Sequence, residues 1–262
     1  MDACRSLSSL KSSGALADMK ARGIRHIFYF QVDNVLINMA DPAFVGYHIE
    51  RGAEMSAKVA PKSGPEEKVG VVCRIGSELT VIEYTDLPDD LRYARNEDGS
   101  LKFSAANLAI HMLDADFVER IAGEQNPLPY HIAQKAVASL DDAGELVRPT
   151  EKNALKFERF VFDALARASE TVVMEVVREE EFAPVKNADG EDSPASAIQL
   201  MSGLYADWLE TAGARVPRDA DGKPAGPIEI SPLFALDADE LRKKLPPEFE
   251  VELPLYLGPP KS

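Results

Sequence analysis

The chain has 262 residues, enough for one large domain or a domain with a small appendage. Its 44 acidic and 29 basic side chains give a formal net charge of −15. That balance argues against an electrostatic grip on nucleic acid or on an anionic membrane, and leaves open a phosphorylated ligand neutralised by a few placed lysines.

Cys4 and Cys73 form no CxxC pair and no metal-ligand spacing, residues 1–11 are polar, and no run reaches the ~20 apolar residues of a membrane span. A cytoplasmic setting is therefore expected. In chain order, residues 13–20 predict a short helix capped by Ser13 and ended at Gly23. Ile24 to Val32 is nearly continuous in apolar residues and predicts a central strand covered on both faces, with Asp33-Asn34 at its end. Asp41-Pro42 opens a second helix that Gly52 closes, and Glu54 to Ala60 reads as a strand. This alternation predicts an α/β unit with a parallel sheet. Val69 to Ile75 and Leu79 to Tyr84 flank Gly76-Ser77 as a hairpin. Lys156 to Ala168 has apolar residues at helical spacing, Thr171 to Val177 reads as a strand, and Phe182 to Pro194 as an irregular loop. A long helix from Pro194 to Ala212, a Pro/Gly/Asp-rich loop over Arg215 to Pro227, a late strand at Ile228 to Ile230 and a short helix over Asp237 to Lys244 complete the chain.

Single residues carry little chemistry at this level. Asp33 falls where an open α/β sheet binds its ligands, yet Asp-Asn is also ordinary turn chemistry. Lys156 and Lys186 can act as point charges on phosphate, but most lysines are simply solvated. Phe160 and Phe162 read first as core, Glu83 and Asn107 as exposed polar residues, and His111 and His131 as structural.

The ordered segments say more than their spacing. Ala21-Arg22-Gly23-Ile24 leads into Phe30-Gln31-Val32-Asp33-Asn34, followed by Asp41-Pro42-Ala43-Phe44-Val45-Gly46 and Glu67-Lys68-Val69-Gly70-Val71. Val81-Ile82-Glu83-Tyr84, Ala106-Asn107-Leu108-Ala109-Ile110-His111 and the run from Leu155 to Asp163 come next. The run from Arg178 to Ala188 and Glu229-Ile230-Ser231-Pro232-Leu233 close the set. Together they resemble the type I UDP-sugar pyrophosphorylases, nearest the UDP-N-acetylhexosamine branch. The resemblance implies a Rossmann-like nucleotide-diphospho-sugar transferase fold over residues 1–193, with a helical and loop appendage over 194–262. It implies a uridylyltransferase that joins UTP and a sugar 1-phosphate into a UDP-sugar, releasing pyrophosphate. By the same resemblance Asp33 holds Mg²⁺, Lys156 and Lys186 contact phosphates, and Gly70 lets the backbone approach the sugar. Glu83 then takes sugar hydroxyls, Asn107 the hydroxyl or N-acetyl region, and Phe160 and Phe162 wall the acyl group. The family's glycine-rich UTP loop does not occur in this sequence, so an amino-terminally truncated sheet is expected, with the missing segment as a candidate partner chain. A non-catalytic UDP-sugar or sugar-phosphate binding module and a metal-dependent glycosyltransferase remain alternatives, and the sugar stays open.

Overall fold

The computed structural model describes residues 3–124 and 128–259. Met1 and Asp2, the first of the polar residues 1–11, lie outside the described residues. The elements run α1 (Ala3–Ser12), α2 (Ala15–Ala21), β1 (His26–Tyr29), α3 (Pro42–Glu50), β2 (Met55–Pro61), β3 (Val71–Ile75), β4 (Glu78–Ile82) and α4 (Asp89–Arg92). They continue as β5 (Ala105–Asp114), α5 (Ala115–Gly123), β6 (His131–Lys135), β7 (Ser139–Leu140), β8 (Leu146–Val147) and β9 (Ala154–Glu158). A 3₁₀ helix (Val161–Arg167) and β10 (Thr171–Glu175) precede α6 (Arg178–Glu181), α7 (Pro194–Thr211), β11 (Ile228–Ile230), α8 (Ala238–Lys244) and β12 (Leu255–Leu257).

The chain divides into two compact units, one of residues 1–30 and 39–175, the other of residues 31–38 and 176–262. The expected boundary at 193/194 falls at the start of α7, inside the second unit. Residues 31–38 join that unit because Asn34 pairs with Pro184 and the Val35 amide donates to the Ala183 carbonyl.

The first unit is built on a six-stranded sheet in the order β10-β2-β5-β3-β4, with β1 also on β5. β2 and β10 are parallel, and every other pairing in this sheet is antiparallel, so the expected parallel sheet is mixed instead. β5 is its spine. β2 runs along one edge, while β1 takes the Asp114 end of the other edge and β3 the Ala106 end. The strand covered on both faces is β2, whose first six residues are all buried: Ser56 and Lys58 meet His48 and Asp41 on one face, and Met55, Ala57 and Val59 join the core on the other. The run from Ile24 to Val32 shortens to the four residues of β1, all only half-buried, with β5 as the one strand partner among the described residues. Met55, Leu113, Phe117, Val118, Ile121 and Leu165 form the core from β2, β5, α5 and the 3₁₀ helix.

Two polar groups are sealed under this sheet. Lys58 of β2 is 0% exposed and donates to Asp41 Oδ2 at 2.7 Å. Asp41 is also the N-cap of α3, accepting from the Ala43 amide at 2.9 Å, with Pro42 at the first helical position. Across from Lys58 the β5 register slips, and Ala109 there adopts φ 54°. His48 Nδ1 lies 2.7 Å from Ser56 Oγ, and His111 Nδ1 lies 3.3 Å from the Ser56 carbonyl.

The predicted helix over 156–168 does not form. Its first part is β9, paired antiparallel with β6 from His131↔Glu158 to Lys135↔Ala154. Only residues 161–167 turn, as the 3₁₀ helix. Leu155 and Phe157 alternate with Lys156 and Glu158 at a period of two, and cross-strand pairing decides for that period over the helical one.

In the second unit α7 begins with a capping box, in which Ser193 Oγ accepts from the Ser196 amide and Ser196 Oγ from the Ser193 amide, followed by Pro194. Its core joins Ala206 and Leu209 of α7 with Ile228, Ile230 and Leu241. Among the described residues no helix is long and apolar enough to cross a membrane.

Candidate functional site

Three strand ends of the first unit line up in one row. Val71 is opposite Ile82 on one side and Ala106 on the other, so Gly70 stands between Glu83 and Asn107. The Asn107 amide donates to the Gly70 carbonyl at 2.8 Å. Residues directly opposite in antiparallel strands share a face, so Glu83 and Asn107 project to the same side of the sheet, flanking the side-chain-free Gly70. A Cβ at position 70 would stand 2.8 Å from both Glu83 Oε1 and Val81 Cγ1. The glycine therefore makes room for the Glu83 carboxyl itself, a reason distinct from the close backbone approach expected from sequence. Asn107 Oδ1 accepts from the Ala109 amide at 3.1 Å, which fixes the side chain on the β5 bulge.

Beside this row the 3₁₀ helix packs on β4 and brings an aromatic wall. Phe160 and Phe162 stack at 4.8 Å between centroids, 15° from parallel. His131, from β6, sits 4.8 Å from the Phe160 ring and 6.3 Å from the Phe162 ring. Its Nε2 is 2.9 Å from Asp163 Oδ2, and the same carboxylate receives the Phe160 amide at 3.4 Å. Burial pushes the Glu83 carboxyl above the usual range, while a charge on His131 pulls it back. Asp163 is raised for the same reason, burial, and held down by His131 charge and hydrogen bonding. His131 and Asp163 are 32 residues apart, so no spacing pointed to them. The one available signal was that Asp163 closes the family-like run from Leu155.

Lys156 lies on β9 rather than at a helix start, two residues from Glu158 and on the face of the β6–β9 ribbon that carries His131. It is half exposed and pairs with Glu158 Oε1 at 2.6 Å.

Asp33 and Lys186 belong to the second unit, and Asn34 ties their segments together. Its Nδ2 donates to the Glu181 carbonyl at 2.8 Å, and its Oδ1 accepts from the Ala183 amide at 2.9 Å. The Val185 amide then donates to the Asp33 carbonyl at 2.8 Å, placing Asp33 beside the residue preceding Lys186. The Lys186 amide is fixed by the Asp192 carbonyl at 2.7 Å, and its ammonium lies 5.7 Å from the Phe182 ring centre. Asp33 is half-buried and Lys186 exposed. Among the described residues no cluster of three or more His, Cys, Asp or Glu could hold a metal. The lone Asp33 carboxylate fits Mg²⁺ only in the manner of an ion that takes one or two protein oxygens and completes its shell with phosphate and water.

A family model described as UTP–glucose-1-phosphate uridylyltransferase matches residues 6–221. The chain is 38% identical over 242 residues to UDP-N-acetylhexosamine pyrophosphorylase-like protein 1 of Xenopus tropicalis, covering 87% of this chain and 47% of that protein. It is 40% identical over 240 residues to UDP-N-acetylglucosamine diphosphorylase 2 of Arabidopsis thaliana, covering 89% and 46%. It superposes on the uridine diphosphate N-acetylglucosamine pyrophosphorylase of Trypanosoma brucei with a TM-score of 0.74 at 29% identity, covering 92% of this chain and 51% of that one. The fold is thus the nucleotidyltransferase fold of the UDP-sugar pyrophosphorylases, and the chain spans about half the length of the relatives it matches. With matched residues running from the first helix to the loop beyond α7, this chain belongs to the UTP–glucose-1-phosphate uridylyltransferase, or UDP-sugar pyrophosphorylase, family.

Proposed function

We propose that the chain carries the sugar side of a uridylyltransferase that makes UDP-N-acetylglucosamine or a related UDP-sugar from UTP and a sugar 1-phosphate. The observation that supports this most is the row Glu83–Gly70–Asn107 beside the stacked pair Phe160–Phe162. A carboxylate and an amide on one side of a notch suit sugar hydroxyls and an amide group, and a stacked aromatic wall suits the apolar face of an acyl group or sugar ring.

In the reaction, an oxygen of the sugar 1-phosphate attacks the α-phosphorus of UTP and pyrophosphate leaves. Such chemistry depends on in-line positioning and charge neutralisation rather than on a covalent intermediate. Glu83 and Asn107 orient the sugar. Lys186 and Lys156 offset phosphate charge, and Lys156 exchanges its Glu158 partner for a phosphate oxygen. Asp33 is the carboxylate that would hold Mg²⁺, which when bound supplies further charge neutralisation at the phosphates.

The test is pyrophosphate release from UTP, N-acetylglucosamine 1-phosphate and Mg²⁺ on addition of the chain, with parallel calorimetry using UDP-N-acetylglucosamine. Turnover with binding is the expected result. Because the chain spans about half the length of its relatives, a second reading is a binding module, for which binding without turnover is the signature. If the calorimeter registers no heat of binding and no pyrophosphate appears, both readings fail.

A further inference from the structure

We infer that His131 is a positioning residue of the sugar pocket, with Asp163 as its anchor, and that the pair sets the pose of the aromatic wall beside Glu83. This deepens the sugar-site reading and rests on it.

The argument begins with burial. Asp163 is 9% exposed and His131 28%, so their contact is shielded far better than a surface ion pair. The Asp163 carboxylate joins two elements. It accepts from the amide of Phe160, the residue that caps the 3₁₀ helix, and from the His131 ring on β6. His131 then lies against the ring of Phe160, so that imidazole, carboxylate and the two phenyl rings form one closed cluster. Phe160 precedes the 3₁₀ helix, where no long run of backbone hydrogen bonds would hold it. The anchor from β6 supplies that constraint.

The second role is electrostatic. The groups bearing on Glu83 are His131 from β6, Asp163 from the 3₁₀ helix and Asp86 from its own loop. Glu158 of β9, opposite His131 in register, is already engaged by Lys156. Of these, only a charge on His131 would draw the Glu83 carboxyl down, against burial and two acids that push it up. Without it, Glu83 takes up its proton at a higher pH and becomes a poorer acceptor for sugar hydroxyls.

The test compares the full chain with His131→Gln and Asp163→Asn by calorimetry, using UDP-N-acetylglucosamine and UDP as probes between pH 5 and 8. Glutamine keeps one donor toward Asp163 without charge. Asparagine keeps an acceptor for the Phe160 amide. The expected result is about a tenfold loss of affinity for the sugar-bearing probe in each variant, with UDP affinity unchanged. In His131→Gln the acid limb of sugar-dependent binding should move to higher pH. Equal loss for both probes, which a merely structural residue would give, overturns the inference. So does unchanged affinity with an unmoved acid limb. If the wild-type chain fails to distinguish UDP-N-acetylglucosamine from UDP, the sugar-site reading falls, and this inference with it.

Discussion

The two units hold their candidate residues in opposite ways. In the first, His131, Asp163, Phe160 and Phe162 touch one another, and Glu83 lies near enough to His131 and Asp163 to feel their charge. In the second, Asp33 and Lys186 are fixed by main-chain hydrogen bonds and by the Asn34 amide, with Asp33 half-buried and Lys186 exposed. A sugar is discriminated by shape and hydrogen-bond pattern, which needs side chains pre-set by packing. A phosphate or cation needs mainly charge at the right distance, which a fixed backbone under a free side chain provides.

The contrast breaks most severely at the base of the first unit. Lys58→Met leaves Asp41 buried without its cation, and should cost about 3–5 kcal/mol in urea unfolding. If the variant unfolds at the wild-type midpoint, the sheet does not depend on that pair.

Acid should strike the same unit next. Burial holds His48 and His111 down at about 4, against an ordinary value of 6.5. A base that resists protonation only when folded lets the unfolded state bind more protons between those values. Stability contributed by these two groups is therefore complete above pH 6.5 and is lost as pH falls toward 4, at about 1.4 kcal/mol per pH unit for each. Denaturant titrations at pH 7.5 and pH 5 should show this slope, and His48→Asn with His111→Asn should flatten it.

The second unit should respond in binding rather than stability. Asp33→Ala and Lys186→Ala each remove one charged contact and should weaken Mg²⁺-dependent UDP-N-acetylglucosamine binding by roughly 10–100-fold, with thermal midpoints within about 1 °C of wild type. A drop in midpoint with unchanged affinity would reverse the assignment of this segment.

Gly70→Ala sharpens the comparison at the smallest scale. The added methyl meets Glu83 Oε1 and Val81 Cγ1, and should cost about 1–2 kcal/mol while weakening sugar binding. Selective loss of sugar affinity supports the Glu83 notch, whereas loss of stability alone makes Gly70 a packing residue.

Much of the fold was legible because its signals are local. Asp41-Pro42 announces α3, Pro194 opens α7, and Gly76-Ser77 joins β3 to β4, since caps and turns depend on a few neighbouring residues. The order of family-like segments named the candidates Gly70, Glu83, Asn107, Phe160 and Phe162, and the strand register then brought Gly70, Glu83 and Asn107 into one row. Lys156 was legible as a cation but misplaced on a helix, because a five-residue strand and the start of a helix share the same apolar letters until a partner strand is known.

What the sequence determined by itself was therefore the local grammar: caps, turns, half of the strands but not the central β5, and an acidic composition. The tertiary structure decided the antiparallel pairings on β5, the ribbon that carries Lys156, and the meeting of His131 with Asp163 and of Asp33 with the Lys186 segment. Those are contacts between residues far apart in the chain, fixed by register and burial, and no spacing along a single strand of letters encodes them.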